Sequence, residues 1–372
     1  MNNSAAEKAV ILIPSLEPDE RLPAYIRKLK DSGFGHIIVV DDGSGEAFLP
    51  VFEETGRVED TIILRHEVNK GKGVALKTGY RYIMDTFPDI SGVITADADG
   101  QHTVEDCLKL ADALENGKRA LYLGSRDFNQ ENVPPKSRTG NKITSAVFKL
   151  LYGQYLPDTQ TGLRAFRKDE LPFMIQVEGE RYEYEMKVLI ACSRAGIPMV
   201  PVTIETIYEN DNEGTHFHPV RDSWRIYKVL LGSFLKFMGS SLICVLVDQV
   251  LSNLLLHWLF PLLHINIQWH LPFGLKLDNT SLANYSARLV SAILNFKLNK
   301  DLVFKVKEQH GAALRYAVTA VFIAVLSTLG IKALMHTGMS FTIAKIITDT
   351  VLYFVSYRLQ QRWVFREETK HE

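Results

Sequence analysis

Cysteine is scarce in this chain of 372 residues: Cys107, Cys192 and Cys244 stand far apart. Their spacing makes neither a disulfide framework nor a zinc site. An excess of one charge sign is missing too. The chain has 42 basic and 43 acidic residues, a formal net charge of −1, so nothing suggests nucleic acid as a partner. No G-x-G-x-x-G and no G-x-x-x-x-G-K-[ST] occurs, which leaves a dinucleotide fold and a P-loop unsupported. The polar N-terminus runs directly into an apolar strand, so no signal peptide is expected and the first half is expected in the cytoplasm. Long apolar runs are missing from that half and dominate the last third. Two domains of different kinds are expected.

The first half alternates short apolar runs with helical segments. Val10-Ile11-Leu12-Ile13-Pro14, His36-Ile37-Ile38-Val39-Val40, Thr61-Ile62-Ile63-Leu64 and Val93-Ile94-Thr95 read as buried strands. Asp19 is expected to cap a helix running to about Ser32, and Asn69-Lys70-Gly71-Lys72-Gly73 to open another. This alternation predicts a doubly wound, mostly parallel sheet, in which ligands sit at the carboxyl ends of the strands. Four polar stretches, 14–19, 41–44, 69–73 and 97–101, fall at such ends and can share one crevice.

The stretch 93–102 carries the sharpest signal: an apolar strand that runs into Asp97-Ala98-Asp99-Gly100-Gln101. Side chains alternate along a strand, so Asp97 and Asp99 point the same way, joined by Gln101 if the backbone stays extended. Two carboxylates and an amide oxygen suit Mg²⁺ or Mn²⁺ that also carries substrate phosphates. The plain alternative is a strand end with Asp and Gly as turn formers. Asp42 can accept hydrogen bonds from a base or ribose, or serve an Asp-Gly turn. Lys72 lies between two glycines that let a diphosphate approach the backbone, or it is a solvated lysine. Arg126 ends another strand, and Arg138 lies in a basic loop at 134–138. Each can hold a phosphate or make a surface ion pair.

In this order the motifs resemble glycosyltransferase family 2, over about residues 9 to 210. They are strand-Pro14, Asp41-Asp42-Gly43-Ser44, Asn69–Gly73, Asp97–Gln101, Gly124-Ser125-Arg126 and Asp158-Thr159-Gln160-Thr161-Gly162. Within that family they look most like the dolichyl- or polyprenyl-phosphate mannosyl- and glucosyltransferases. The resemblance implies a GT-A (Rossmann-like) fold and a metal held by Asp97, Asp99 and Gln101. It places Pro14, Glu17, Asp42, Lys72 and Asp97 on the donor nucleotide, and Arg126 and Arg138 on the acceptor phosphate. Asp99, Arg126, Arg138 and Asp158 form the implied catalytic set, with Asp158 the candidate to position the acceptor. The sequence departs from the family after the first strand. It reads Pro14-Ser15-Leu16-Glu17-Pro18, which displaces the nucleoside-contacting Glu by one position from Pro-x-Tyr-Asn-Glu.

After residue 213 the pattern changes. Val220, Trp224, Tyr227 and Leu231 recur at helical spacing beside a stripe of Arg221, Arg225 and Lys228, which predicts an interfacial helix over 214–234. Four apolar segments follow, at 237–260, 281–304, 312–335 and 341–357, each near the ~20 residues that span hydrocarbon. Lys297, Lys300, Lys305, Lys307 and Arg315 lie between the second and third; Arg358, Arg362 and Arg366 follow the fourth. The positive-inside rule then predicts both termini in the cytoplasm of a multi-pass inner or plasma membrane protein. Leu235-Lys236-Phe237 echoes Leu314-Arg315-Tyr316, and 299–304 echoes 360–365, so two hairpins related by a pseudo-twofold are expected. Residues 235–372 thus read as an all-α, four-helix domain that resembles the GtrA-like membrane family. Buried charge is expected to be paired: Arg288 is expected to face the bundle interior and pair with Asp248, Asp349 or both, the plain alternative being that Arg288 and Asp349 reach outward to the headgroups.

The sequence reading is a cytoplasm-facing inverting transferase, residues 1–213, that moves a hexose from a nucleotide sugar to a polyprenyl phosphate at the bilayer. A processive polysaccharide synthase is the first rival, disfavoured because Gln-x-x-Arg-Trp is absent; Gln360-Gln361-Arg362-Trp363 is one residue short and follows the last apolar segment. A lipid-sugar translocator with a regulatory soluble half is the second. A sugar nucleotidyltransferase is the third, disfavoured by the lack of a Gly-rich N-terminal phosphate loop. The oligomeric state stays open.

Overall fold

The computed structural model describes residues 3–130, 133–205, 219–270, 276–304 and 311–365. The chain divides into two compact units, Met1–Leu230 and Leu231–Glu372.

In the first unit the apolar runs become a seven-stranded sheet of order β3-β2-β1-β4-β6-β5-β7. The strands are β1 (Ala9–Ser15), β2 (His36–Asp41), β3 (Thr61–Arg65), β4 (Gly92–Thr95), β5 (Leu121–Arg126), β6 (Arg164–Arg167) and β7 (Met199–Ile204). The helices are α1 (Asn3–Glu7), α2 (Arg21–Asp31), α3 (Leu49–Gly56), α4 (Lys72–Thr86), α5 (Val104–Asn116), α6 (Pro135–Tyr152), α7 (Leu171–Gln176) and α8 (Glu183–Ala195). The central strands are unbroken apolar runs because helices cover both faces; Ile11, Leu12, Ile37, Val39 and Ile94 are fully buried. The cap expected at Asp19 falls one residue early: Glu20 is the N-cap residue of α2 and makes no side-chain cap, while Asp19 accepts from the Arg21 amide at 2.9 Å.

β1 pairs in parallel with both β2 and β4, and the chain leaves it in opposite directions on the two sides. The carboxyl ends of β1 and β4 therefore flank the crevice where such sheets bind ligands. One strand departs from the parallel expectation. β6 runs antiparallel between β4 and β5. This reversal matters for the site: the loop preceding β6, residues 158–163, arrives at the same edge where the parallel strands present the loops that follow them.

Residues 134–138, expected as a loop, are mostly helix. α6 begins at Pro135, so Arg138 lies in its first turn. The helix has the cations Lys136, Arg138, Lys142 and Lys149 and no carboxylate. Its outer stripe is apolar as well as basic: Ile143 is 50% exposed and Leu150 47%, between the exposed Lys142 and Lys149.

α9 (Pro219–Leu254) begins in the first unit. The stripe predicted there divides. The Tyr227 hydroxyl lies 3.2 Å from Thr144 Oγ1 of α6, and Leu230 is buried, its carbonyl accepting from the Tyr152 hydroxyl at 2.9 Å. Trp224 stays 71% exposed. Tyr227 therefore packs on the α/β unit instead of facing lipid. Residues 214–218 lie outside the described set, and Val220 and Arg221 lie among side chains not described.

The second unit is helical. After α9 come a π-turn (Leu255–Leu259) and α10 (Phe260–Leu262), then α11 (Asn279–Leu298), α12 (Ala312–His336) and α13 (Phe341–Leu359). A short antiparallel pair, β8 (Gln268–His270) and β9 (Lys276–Asp278), corrects the all-helical expectation. Two described helices, Trp224–Leu262 and Ala312–His336, are long and apolar enough to cross a membrane. Leu242, Leu246, Val250, Val321, Val325, Leu329, Ile346 and Val351 are exposed apolar side chains of a kind that water does not favour and lipid does.

α11 and α13 both run into π-helical segments, Asn299–Phe304 and Gln360–Val364. The segments that echo each other in sequence meet there: Asn299 Nδ2 donates to Gln360 Oε1 at 2.9 Å, and Phe304 stacks on Phe365 with ring centroids 5.1 Å apart. Each amide has a matching partner one turn back. Asn299 donates to Asn295 at 2.8 Å and Gln360 to Ser356 at 3.2 Å. Further along the hairpins the equivalents diverge. Arg288 lies 3.5 Å from Asp248, whereas Asp349 accepts from Ser327 at 2.8 Å. Arg288 is thus paired as expected, yet its side chain is 70% exposed and does not face the interior.

Candidate active site

The site forms where β4 ends. The backbone does not stay extended: residues 98–100 turn, with Gly100 at φ 75°. Asp99 Oδ1 accepts from the Gln101 amide at 3.0 Å, so the two-residue alternation stops at Asp99. Asp97 is held from two sides. Lys72 Nζ lies 2.7 Å from Oδ1, and His102 Nε2 lies 3.2 Å from Oδ2. Gly162 closes over it, since a Cβ there would overlap the Asp97 carboxylate. Burial alone would raise the Asp97 pKa, but the Lys72 ammonium and the His102 ring outweigh it and hold the carboxyl far below its usual range. Asp99 moves the other way, raised by burial and by the negative charge of Asp97. The two carboxylates therefore share one electrostatic environment.

Lys72 is not a solvated lysine. Its ammonium sits between Asp97 and Glu185, 2.7 and 2.9 Å away, with little exposure. Burial lowers its pKa, but the two carboxylates prevail and raise it above its ordinary value. The glycines on either side answer to protein before any phosphate. A Cβ on Gly71, at φ 99°, would lie 2.6 Å from the Glu180 carbonyl oxygen, and one on Gly73 2.7 Å from Tyr184 Cβ. The Val74 amide donates to that Glu180 carbonyl at 3.0 Å, joining the start of α4 to the segment before α8.

Asp42 is buried, and both its oxygens are engaged. His66 Nδ1 lies 2.7 Å from Oδ1, the Lys70 amide donates to Oδ1 at 3.0 Å and the Gly71 amide to Oδ2 at 2.7 Å. Within the described residues Asp42 anchors the 69–71 loop. At the end of β1, Pro14 lies opposite Val40, and β1 continues one residue beyond it to Ser15. Glu17 adopts φ 50° and its amide donates to Ser44 Oγ at 2.8 Å. The Ser44 amide in turn donates to Asp41 at 2.9 Å, so the loops after β1 and β2 are tied together.

Arg126 and Asp158 come together, as the antiparallel β6 requires. Arg126 Nε donates to Asp158 Oδ2 at 2.7 Å and Nη2 to Oδ1 at 3.3 Å, a two-pronged pair. Asp158 is buried and also accepts from the Gln160 amide at 2.9 Å. The carboxylate is thus turned to Arg126 and is no exposed acceptor group. The Arg126 guanidinium also lies 5.2 Å from the Phe128 ring. Arg138 reaches back from α6 to the Gln130 carbonyl at 2.7 Å.

The sequence reading missed Glu185, His102 and Arg164. Glu185 had no visible motif, because its partner Lys72 is brought to it only by the packing of α8 on α4. His102 follows Gln101 directly and gave a signal in its proximity to the two aspartates; its Nδ1 is buried without a partner. Arg164 is buried in β6 and braces both neighbours, donating to the Thr161 carbonyl at 2.9 Å and the Glu185 carbonyl at 2.8 Å.

Among the described residues, no three His, Cys, Asp or Glu side chains converge to cage a metal. The donor set still fits one kind of ion. Asp97 and Asp99 offer hard oxygen donors that suit a hard cation taking its remaining ligands from water and phosphate, with the Lys72 ammonium as a competing counter-charge on Asp97.

The fold thus sets two neighbouring carboxylates at the carboxyl end of a central strand, in a chain that also has an apolar helical unit. Comparison with known proteins gives the family. Residues 10–173 match the model of glycosyl transferase family 2, and residues 262–365 match the GtrA/DPMS transmembrane domain. The chain is 31% identical over 212 residues to an uncharacterized protein of Methanocaldococcus jannaschii, covering 56% of this chain and 85% of that one. It is 31% identical over 221 residues to the UDP-N-acetylglucosamine–dolichyl-phosphate N-acetylglucosaminyltransferase of Methanococcus voltae, covering 55% and 87%. It is 26% identical over 206 residues to the polyprenol monophosphomannose synthase of Mycolicibacterium smegmatis, covering 53% and 77%. A solved glucosyl-3-phosphoglycerate synthase of Mycobacterium tuberculosis, in complex with Mn²⁺ and UDP, aligns with TM-score 0.47 at 14% identity over 62% of this chain and 82% of that one. The chain belongs to glycosyltransferase family 2: it is a glycosyltransferase with a family 2 domain and a GtrA/DPMS-type transmembrane domain.

Proposed function

We propose that this enzyme moves a hexose from a nucleotide sugar, GDP-mannose or UDP-glucose/UDP-HexNAc, to undecaprenyl or dolichyl phosphate. The product is a polyprenyl-phosphate sugar for cell-envelope or protein glycosylation. The observation that supports this most is the conjunction at one sheet edge of the Asp97–Asp99 pair with Arg126, in a chain that also has a GtrA/DPMS transmembrane domain.

Asp97 and Asp99, with the side-chain oxygen of Gln101, are the residues that would hold Mg²⁺ or Mn²⁺. Bound there, the cation supplies neutralisation of the donor diphosphate and of the leaving group. Pro14 and Glu17 border the nucleoside side of the crevice, and Asp42 contributes by holding the 69–71 loop. Lys72 adds a positive charge beside the diphosphate. Arg126, oriented by Asp158, and Arg138 would receive the lipid phosphate, whose oxygen is already anionic at neutral pH and needs no strong general base. Attack from the face opposite the leaving group inverts the anomeric carbon. In the bilayer we propose four spans with both termini cytoplasmic, on the positive-inside pattern of Lys297, Lys300, Arg315, Arg358 and Arg362.

The test is incubation of membranes containing the full chain with a panel of radiolabelled nucleotide sugars and a polyprenyl phosphate. A single-sugar lipid formed from one donor supports the reading. A polymer, or transfer only to a water-soluble acceptor, refutes it.

A further inference from the structure

Glu185 takes part in none of the roles above, yet it is the second carboxylate on Lys72, at 2.9 Å, and both side chains are largely buried. Its placement is built in from several directions. Its own carbonyl is held by Arg164, and the start of α8 meets α4 through Gly71, Gly73 and the Val74–Glu180 hydrogen bond. A buried ammonium with one acidic partner would be committed to Asp97. With two, it has somewhere to remain when Asp97 takes another cation.

We propose that Glu185 is a positioning residue for the Asp97–Asp99 site. It holds Lys72 inside the crevice and offsets its charge, so that Asp97 can release the ammonium to a divalent cation without expelling the lysine from the place where the donor diphosphate binds. The inference rests on the metal site proposed above. It assigns Glu185 an effect that passes through Lys72, not one of direct ligation. Without Glu185, Lys72 has Asp97 as its remaining carboxylate and competes harder for it.

The experiment is Mn²⁺ binding to the full-length, detergent-solubilised protein, followed by electron paramagnetic resonance without substrate, with thermal unfolding as a check on folding. An opposite charge at this range shifts carboxylate affinities by about one to three logarithmic units. On that scale Glu185→Gln is expected to weaken Mn²⁺ binding about tenfold, and Lys72→Met to tighten it. The deciding variant is Lys72→Met/Glu185→Gln. If Glu185 acts through Lys72, the double variant binds Mn²⁺ like Lys72→Met alone, and Glu185→Asp retains most of the wild-type affinity. If Glu185→Gln costs as much in the Lys72→Met background as in the wild type, Glu185 acts on the cation directly and the inference is overturned. Unchanged binding in folded Glu185→Gln overturns it too. A wild type that binds no Mn²⁺ overturns the metal reading itself, which separates the two failures.

Discussion

At the scale of single residues, the site is held by close approaches that glycine permits. Gly162 and Gly71 make the same demand with opposite consequences. At Gly162 the three atoms nearest a Cβ all belong to the Asp97 side chain. Gly162→Ala is therefore expected to cost less stability than Gly71→Ala and to lower kcat/KM by up to about a hundredfold, the cost of misplacing a site group by about 1 Å. At Gly71 a Cβ meets backbone, the Glu180 carbonyl, and φ is 99°. Gly71→Ala is expected to destabilise the α/β unit by more than about 1 kcal/mol, read as a lower denaturation midpoint. Equal stability losses in the two variants would contradict the contacts described. Asp97 was legible in the sequence from its spacing, but its partners were not. Lys72 and His102 reach it from α4 and the turn after β4, Glu185 joins through Lys72 from α8, and a spacing argument sees only His102.

At the scale of elements, α6 carries more than the loop reading allowed. It begins with Pro135 in its first turn, which suits a helix start, and its buried face of Thr144, Phe148, Leu151 and Tyr152 packs inward. The outer face is left apolar between lysines, the composition of a helix lying in an anionic lipid interface. Ile143→Glu/Leu150→Glu is expected to reduce transfer to a bilayer-embedded acceptor severalfold, while transfer to a short, water-soluble acceptor survives. Vesicle co-sedimentation of the same variant distinguishes lost interface binding from lost folding. Tyr227, which looked like part of such a face by periodicity, is turned the other way by its contact with Thr144. Helical spacing marks a stripe, but only the neighbour decides whether protein or lipid covers it.

At the scale of the whole molecule, an α/β unit with a buried core and a helical unit with exposed apolar side chains are stabilised differently. In the helical unit Asn299 and Gln360 meet, with Ser240 donating to Asn299 Oδ1 at 2.6 Å. Among the apolar helices such an amide pair contributes modestly when complete and is costly when half removed. Asn299→Leu is expected to cost about 1 kcal/mol of stability by stranding Gln360, and Asn299→Leu/Gln360→Leu less than the sum of the two single changes. Thermal unfolding in detergent measures both; strict additivity would show that the two amides do not interact.

The sequence by itself determined the strand–helix alternation, the acidic strand end at Asp97 and Asp99 and the apolar last third. Each is a periodicity or a composition, local enough to survive without neighbours. Tertiary structure decided what depends on strand direction and long-range packing. It reversed β6, which delivers Asp158 to Arg126 and Gly162 to Asp97. It closed the 69–71 loop on Asp42, and it gave Lys72 a second carboxylate from a helix more than a hundred positions away. A buried charge must find its partners wherever the fold brings them, and sequence distance carries no record of that.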